Sequence, residues 1–420
     1  MAVRLQFEGI RCFYEPQIAQ IRPITLLVGE NSSGKTTFLA LCRIAHSIVQ
    51  ESPTRLPFNE VPFLLGAYDQ IASKRAGAGR AASFSLTVST GVGDSRSELG
   101  AEFVSRDGQP SLRGWRLTAG SCAIQMTDHG MPDGCSVVLE SPRGRAEVTL
   151  PVASESLAGY PISDVETMFE VAEAGLSQSD FAPLAAAQKS LRSEFPRRPY
   201  ALAPIRTSPR RTYDPVTAEA DPEGSHVPML LAALARSAPK RHWQVLQAAL
   251  AKFGSGSGLF SKIEIVNKGK KEGDPFQIGV KSGGPVFNLI DVGYGVSQAL
   301  PILVDTIERS SGSEWFLLQQ PEVHLHPRAQ AELGTFFAKQ IVKQRRFVIE
   351  THSDHLVDRI RMEVRRKHLK PEQVSLLYFE RGKNGVTIYN LELDKNGSIM
   401  DPPPGYRQFF LHEERDLLGI

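Results

Sequence analysis

The residues whose types and spacing could do chemistry begin at Gly29, in the string Gly29-Glu30-Asn31-Ser32-Ser33-Gly34-Lys35-Thr36-Thr37. Gly29 and Gly34, closed by Lys35 and Thr36, form the loop pattern in which backbone N–H groups surround a polyphosphate, because no Cβ stands in the way. Asn31, Ser32, Ser33 and Thr37 complete such a cradle, Lys35 reaches the β- and γ-phosphates, and the Thr36 hydroxyl ligates Mg²⁺. The loop has to join a strand to a helix, and the sequence supplies both. An apolar run, Ile24–Val28, precedes it, and a helically periodic stretch follows as far as Val49. The positive end of that helix adds its dipole to the same anion. The ligand this pattern implies is a nucleoside triphosphate with Mg²⁺.

A second group lies far downstream. Trp315–Leu318 reads as a buried strand ending in Gln319-Gln320-Pro321-Glu322, and a further strand ends in Glu350-Thr351-His352. Upstream of both, Gly293, Gly295, Ser297 and Gln298 precede an apolar helix. Carboxylates at strand tips of doubly wound sheets face the nucleotide crevice, so Glu350 is placed to act as a base or as a partner of Mg²⁺-bound water. A hydrogen bond that only fixes the loop is the alternative.

Together these strings resemble the ATP-binding-cassette type head shared by structural-maintenance-of-chromosomes proteins, RecF-like repair proteins and OLD-family defence ATPases. The string Pro321-Glu322-Val323-His324-Leu325-His326-Pro327 and the tail Pro402-Pro403-Pro404-Gly405-Tyr406 resemble those of bacterial ATPases associated with phage defence. The resemblance spans about residues 1 to 110 and 255 to 420 and implies an α/β fold: a P-loop ABC-type head, mixed sheet core plus antiparallel β-lobe, with a small helical insertion. It further implies ATP as the nucleotide and a homodimer or higher oligomer, in which Ser297 contacts in trans the γ-phosphate held by the other subunit. His352 matches the switch histidine, residues 323–326 the D-loop, and Gln70 the γ-phosphate-sensing glutamine near Mg²⁺. Such heads carry an acidic Mg²⁺-water ligand at the position of Gln319 and the water-polarising glutamate at that of Gln320. An amide orients water but does not take its proton, so turnover is expected to be slow. Glu350 and Glu322 are the nearby carboxylates that could substitute, and Glu322 also suits fixing the loop.

His324, His326, His352 and His355 have zinc-like spacings, yet no Cys lies near and the head pattern already accounts for all four, so a metal site is rejected. From Ala82 to Leu150 alternating apolar and polar residues read as antiparallel hairpins, and Ser163 to Phe195 as a small helical insertion. Arg197, Arg198, Arg206, Arg210 and Arg211, with Tyr200 and Tyr213 among them, suit a nucleic-acid backbone; a solvated loop paired with nearby acids, or an arginine that senses nucleotide or a protein partner, are the alternatives. The residues after His355 read as a hairpin and cap without a nuclease. The expected units are 1–155 (N-terminal ATPase lobe), 156–250 (helical and Arg-rich insertion) and 251–420 (C-terminal ATPase lobe).

Composition sets the frame. With 420 residues, 41% hydrophobic and 22% charged, the chain is long enough for more than one lobe of about 150 residues. Lys+Arg 48 against Asp+Glu 46 gives a net charge of +2, so any polyanion site must be local. Four separated cysteines, the absence of a signal-like leader and the lack of a spanning apolar run point to a cytoplasmic protein without a membrane partner. Two functions compete: an ATP-driven oligomer that senses or clamps DNA and licenses a separate effector nuclease or toxin, or a nearly non-hydrolysing ATP-bound scaffold that sequesters the effector.

Overall fold

The computed structural model describes residues 2–50, 56–75, 77, 79–130, 134–150, 178–216, 219–309, 314–341 and 345–406. Two sheets carry the architecture. The core sheet has the order Tyr200–Leu202, Trp315–Gln319, Arg346–Glu350, Ile24–Gly29, Val374–Gly382, Gly385–Leu391. All its neighbours are parallel except the final hairpin. Buried on both faces, its strands read as continuous apolar runs; every residue of Ile24–Gly29 and of Trp315–Gln319 is buried. The second sheet is an eight-stranded antiparallel lobe built from Val3–Glu8, Gln17–Ile21 and the hairpins of 83–150. Here one face is buried and the other wet, so Ser97–Arg106 alternates residue by residue, as the hairpin pattern requires.

The phosphate-loop helix, Lys35–Gln50, packs between the sheets and is buried nearly all round, so its apolar residues are not confined to one stripe. Phe7, Phe13, Phe38 and Phe379 form a ring-to-ring chain that joins the lobe, this helix and the core sheet. Sheet also meets sheet through side chains: the Asn390 amide accepts from Gln20 N and donates to Ile18 O, each at 2.7 Å. On the opposite face of the core sheet a second apolar cluster gathers helices Val227–Ser237, Lys240–Ser257, Tyr294–Glu308, Pro327–Gln340 and Asp354–Arg365.

The expected boundary at 250 is not a structural one. Tyr200–Leu202 adds a parallel strand beside Trp315–Gln319, and the two helices after it pack in the same core as Tyr294–Glu308. The helix Gln178–Glu194 lies against the antiparallel lobe; the first part of the expected insertion, 156–177, lies outside the described residues. The C-terminal hairpin forms, and its first strand, Val374–Gly382, stands directly against Ile24–Gly29 inside the core sheet. Among the described residues, no helix is long and apolar enough to cross a membrane.

Candidate active site

The parallel order places three strand tips side by side, ending at Gln319, Glu350 and Gly29, with Gln319 paired to Glu350 and Glu350 to Leu27. Gly29 (φ +143°) and Gly34 (φ +89°) have backbone conformations that L side chains rarely adopt. A Cβ on Gly29 would stand 2.4 Å from the Phe379 carbonyl oxygen, and one on Gly34 2.5 Å from Phe13 Cζ. Ser33 is buried, Asn31 and Ser32 are exposed on the rim, and Arg381 donates to the Ser32 carbonyl at 2.6 Å. The Lys35 ammonium folds back onto its own loop and donates to the carbonyls of Gly29 (2.9 Å) and Glu30 (2.6 Å). Burial lowers its pKa, while Glu350 and Glu30 pull it the other way.

Beside it the Thr36 hydroxyl donates to Glu350 Oε2 at 2.8 Å. Glu350 is only 6% exposed, and burial raises its pKa against the opposing pull of Thr36 and Lys35. Thr36 and Glu350 together offer hard oxygen donors of the kind Mg²⁺ takes, next to a loop whose glycines leave room for phosphate. The residues present therefore fit a magnesium-bound triphosphate. The place beside Thr36 expected for Gln319 belongs to Glu350. Gln319 is buried, and its amide nitrogen has no hydrogen-bond partner among the described residues. Gln320, with φ +41°, turns away from the strand and donates its N–H to the Glu350 carbonyl at 2.8 Å.

Glu322, expected among the catalytic groups, is instead a fastening residue. It is 7% exposed, and its Oε1 accepts the His352 N–H at 2.7 Å, which ties it to the neighbouring loop, while its Oε2 has no hydrogen-bond partner among the described residues. His352 is an exposed residue whose pKa is lowered first by partial burial of the ring and then by the Lys35 charge. The His324 ring (φ +65°) lies tilted by 36° against Tyr294, and its carbonyl oxygen would meet a Cβ on Gly295 at 3.1 Å, so the 323–326 loop packs on the start of the helix Tyr294–Glu308. Ser297, in the first turn of that helix, is buried and donates to Tyr294 O at 2.9 Å, lining a cavity of about 280 Å³ with Thr207 and Arg210. It does not project from the surface in this conformation.

Gln70 also departs from expectation. Its side-chain oxygen accepts the Ala67 N–H at 3.2 Å and caps its own short helix, Tyr68–Ile71, instead of facing Thr36. Arg11 bridges this segment to the phosphate-loop helix, donating to Gln70 O (3.4 Å), Leu65 O (2.9 Å) and Thr37 Oγ1 (3.2 Å). Thr37 is thus engaged below the loop by an arginine that local sequence pattern does not single out.

The arginine-rich segment is not one surface. Arg206 is 3% exposed behind the Gln319–Gln320 turn, and Tyr200 and Tyr213 are buried. Arg211 makes a two-pronged pair with Asp291 (2.9 and 2.6 Å), and Arg198 pairs with Glu60. The continuous basic and aromatic face expected for nucleic acid is absent among the described residues of this segment. Its tyrosine serves the core: Tyr200 donates to Asp305 Oδ2 at 2.6 Å, and Asp305 Oδ1 lies 2.9 Å from His226 Nε2.

Residues 150–358 match the family described as "AAA domain, putative AbiEii toxin, Type IV TA system". No curated protein matches the chain. Among solved structures, the chain is similar to an SMC head bound to the C-winged helix domain of ScpA (10% identity, TM-score 0.44, 94% of this chain and 98% of that one). It is also similar to the SMC head domain from Thermotoga maritima (11%, 0.41, 93% and 99%). A third is an SMC head with an extended coiled coil, bound to the C-terminal domain of ScpA derived from Pyrococcus furiosus (9%, 0.45, 100% and 98%). The phosphate loop between Ile24–Gly29 and Lys35–Gln50, the Arg346–Glu350 strand set between Ile24–Gly29 and Trp315–Gln319, and the antiparallel lobe give this chain a mixed α/β fold with a P-loop of the nucleotide-binding type, and its residues 150–358 are similar to an AAA domain.

Proposed function

We propose that the chain is the ATP-driven switch subunit of a multi-component defence system: two copies pair around ATP, Glu350 supports slow hydrolysis, and the paired state controls a separate effector nuclease or toxin. The observation that carries this reading is the 2.8 Å contact between Thr36 and Glu350, a carboxylate at the place where hydrolysis needs one although Gln319 and Gln320 are amides. Glu350 takes the proton of the attacking water as its oxygen bonds to the γ-phosphorus and the bond to the β-phosphate oxygen breaks, releasing ADP and phosphate. The Thr36 hydroxyl would hold Mg²⁺, with Glu350 facing the metal-bound water, and the ion would supply charge neutralisation at the triphosphate. Lys35 leaves its two loop carbonyls for the phosphates, and neutral His352 offers a ring N–H toward the γ-phosphate. The toxin-system description of the matching family supports the effector part of the reading.

The two amides favour a second reading, a non-hydrolysing ATP-bound scaffold that holds the effector until triggered. Phosphate release and light scattering, with and without ATP and with Lys35→Ala as blank, separate them. Turnover above the blank together with ATP-dependent pairing supports the switch; pairing without turnover supports the scaffold. A chain that binds ATP and stays monomeric refutes both.

A further inference from the structure

We infer that Arg206 is a positioning residue that couples the Gln319–Gln320 turn to the helix carrying Ser297, so that nucleotide at the chain's own phosphate loop is reported to the surface offered to a second copy. The inference rests on the reading of ATP as a switch ligand. Arg206 lies in the segment after Tyr200–Leu202, which is strapped down by Ala203 N to Pro222 O and Thr207 N to Glu223 O, both 2.9 Å. From this fixed base it touches two moving parts. Its Nη2 donates to Gln319 O at 3.5 Å and Gln320 O at 3.4 Å, and its own carbonyl accepts from Gln298 Nε2 at 3.5 Å.

The guanidinium is held loosely. Among the described residues it makes two long hydrogen bonds and feels the opposing charge of Glu322, while Nε and Nη1 have no hydrogen-bond partner although the residue is 3% exposed. Buried donors are normally satisfied, and leaving them unmade is costly. The Glu322 charge accounts for a cation at this place but not for the two donors left unbonded, and these are available to a contact that changes partners. Gln320 provides the movable partner: its φ of +41° is uncommon for a residue other than glycine, and its N–H is tied to the carbonyl of Glu350, which in turn holds Thr36. A continuous line of contacts therefore runs from Thr36 through Glu350, Gln320, Arg206 and Gln298 to the helix of Ser297. A phosphate or Mg²⁺ that draws Glu350 or Thr36 shifts the turn; the spare donors of Arg206 follow its carbonyls, and Gln298 feels the strap move.

Hydrogen exchange with and without magnesium and a slowly hydrolysed ATP analogue tests this in the full chain and in Arg206→Met, Arg206→Lys and Gln298→Leu. All variants should bind the analogue with near wild-type affinity, because the phosphate loop is untouched. In wild type the analogue should alter exchange in both 319–326 and 294–300. In Arg206→Met and Gln298→Leu the first change should persist, and the second should shrink by about fivefold or more, the lower end of usual site-to-site coupling. Arg206→Lys should recover part of it. Should Arg206→Met prove too unstable, Gln298→Leu and Arg206→Lys carry the test. A full-sized 294–300 response in these variants overturns the inference, as does loss of both responses together with a fall in melting temperature, which marks a fold support only. A wild-type chain that protects 29–37 on binding but shows no 294–300 response also overturns it. No protection of 29–37 in wild type refutes the ATP reading itself.

Discussion

Replacing Glu350 by glutamine changes one oxygen to nitrogen and removes one charge, so its effects can be worked out contact by contact. The glutamine oxygen can still accept from Thr36, whose hydroxyl stands 2.8 Å from the present carboxylate. What is lost there is the difference between a charge-assisted and a neutral hydrogen bond, about 1 kcal/mol, or less than about tenfold in any step it supports. Removing a general base costs far more, about 10²- to 10⁴-fold, or about 3 to 5 kcal/mol of barrier. Magnitude therefore separates the two roles. The expected result is a fall in phosphate release of at least about 10²-fold, with analogue affinity changed only a few-fold. Stability should not fall with it. Burial raises the folded-state pKa of Glu350, so the folded chain binds more protons than the unfolded one between the two pKa values, and this carboxylate loses stability as pH rises through that window. A permanently neutral glutamine removes that loss, and melting at pH 7 should be unchanged or higher. The same raised pKa places the acid limb of the wild-type pH–rate profile above the ordinary carboxylate range, since the base must be ionised to act. Turnover by Glu350→Gln within tenfold of wild type, with the acid limb intact, would show that the carboxylate is only a loop fastener.

Other substitutions probe the surrounding supports. Gly34→Ala forces a Cβ to within 2.5 Å of Phe13 Cζ and 2.7 Å of Cys12 Sγ at φ +89°, so nucleotide affinity measured by titration should drop steeply while far-UV circular dichroism stays that of the parent. Gln319→Asp puts a second carboxylate opposite Glu350, and because like charges in a buried site cannot both ionise freely, the acid limb of the pH–rate profile should move to higher pH. Asp305→Ala strips the acceptor from Tyr200 and His226 in the core, which should cost about 3 to 5 kcal/mol in denaturant titrations. Nucleotide affinity of the folded protein should be preserved in that variant.

What the sequence made legible is what depends on neighbours in the chain. Gly29 to Thr36 announce a phosphate loop because the glycines, the lysine and the flanking strand and helix are local, and the alternating hairpins of 83–150 are readable for the same reason. The carboxylate at the end of Arg346–Glu350 could be placed near the crevice because strand tips of parallel sheets gather there. Side-chain commitments were not legible. Arg206 stands in a run of arginines and prolines that reads as a polyanion-binding loop, a solvated loop or the place of a sensing arginine, without saying which arginine, and the parallel pairing of Tyr200–Leu202 with Trp315–Gln319 carries Arg206 behind the turn. Arg11 has no pattern of its own; its role comes from φ +46° and three acceptors 26 to 59 residues away. Gln70 was read as a sensor because of its segment, whereas its side chain is taken by the nearest unsatisfied helix N–H, a local bond that needs no partner from elsewhere.

The pairing of Gln319 with Glu350 explains how an ATPase site can tolerate amides where carboxylates are usual. In a parallel sheet, register partners on adjacent strands lie about 4.8 Å apart, a distance that a glutamate side chain spans easily. An acid moved from one strand tip to the next therefore still reaches the Thr36 hydroxyl, as the 2.8 Å contact of Glu350 shows. The exchange also carries an electrostatic advantage. Both positions are 6% exposed, and two carboxylates so placed would raise each other's pKa at the point where one must be ionised to act. With an amide at 319, the single carboxylate keeps Lys35 as its nearby opposing charge and Thr36 as its donor, both of which favour ionisation against burial. Gln320 is then free of proton transfer and can serve as backbone: its N–H holds the Glu350 carbonyl, and its own carbonyl faces Arg206. On the proposed reading, the acid–base work moves by one strand to Glu350, and the Gln319–Gln320 turn is left to transmit position.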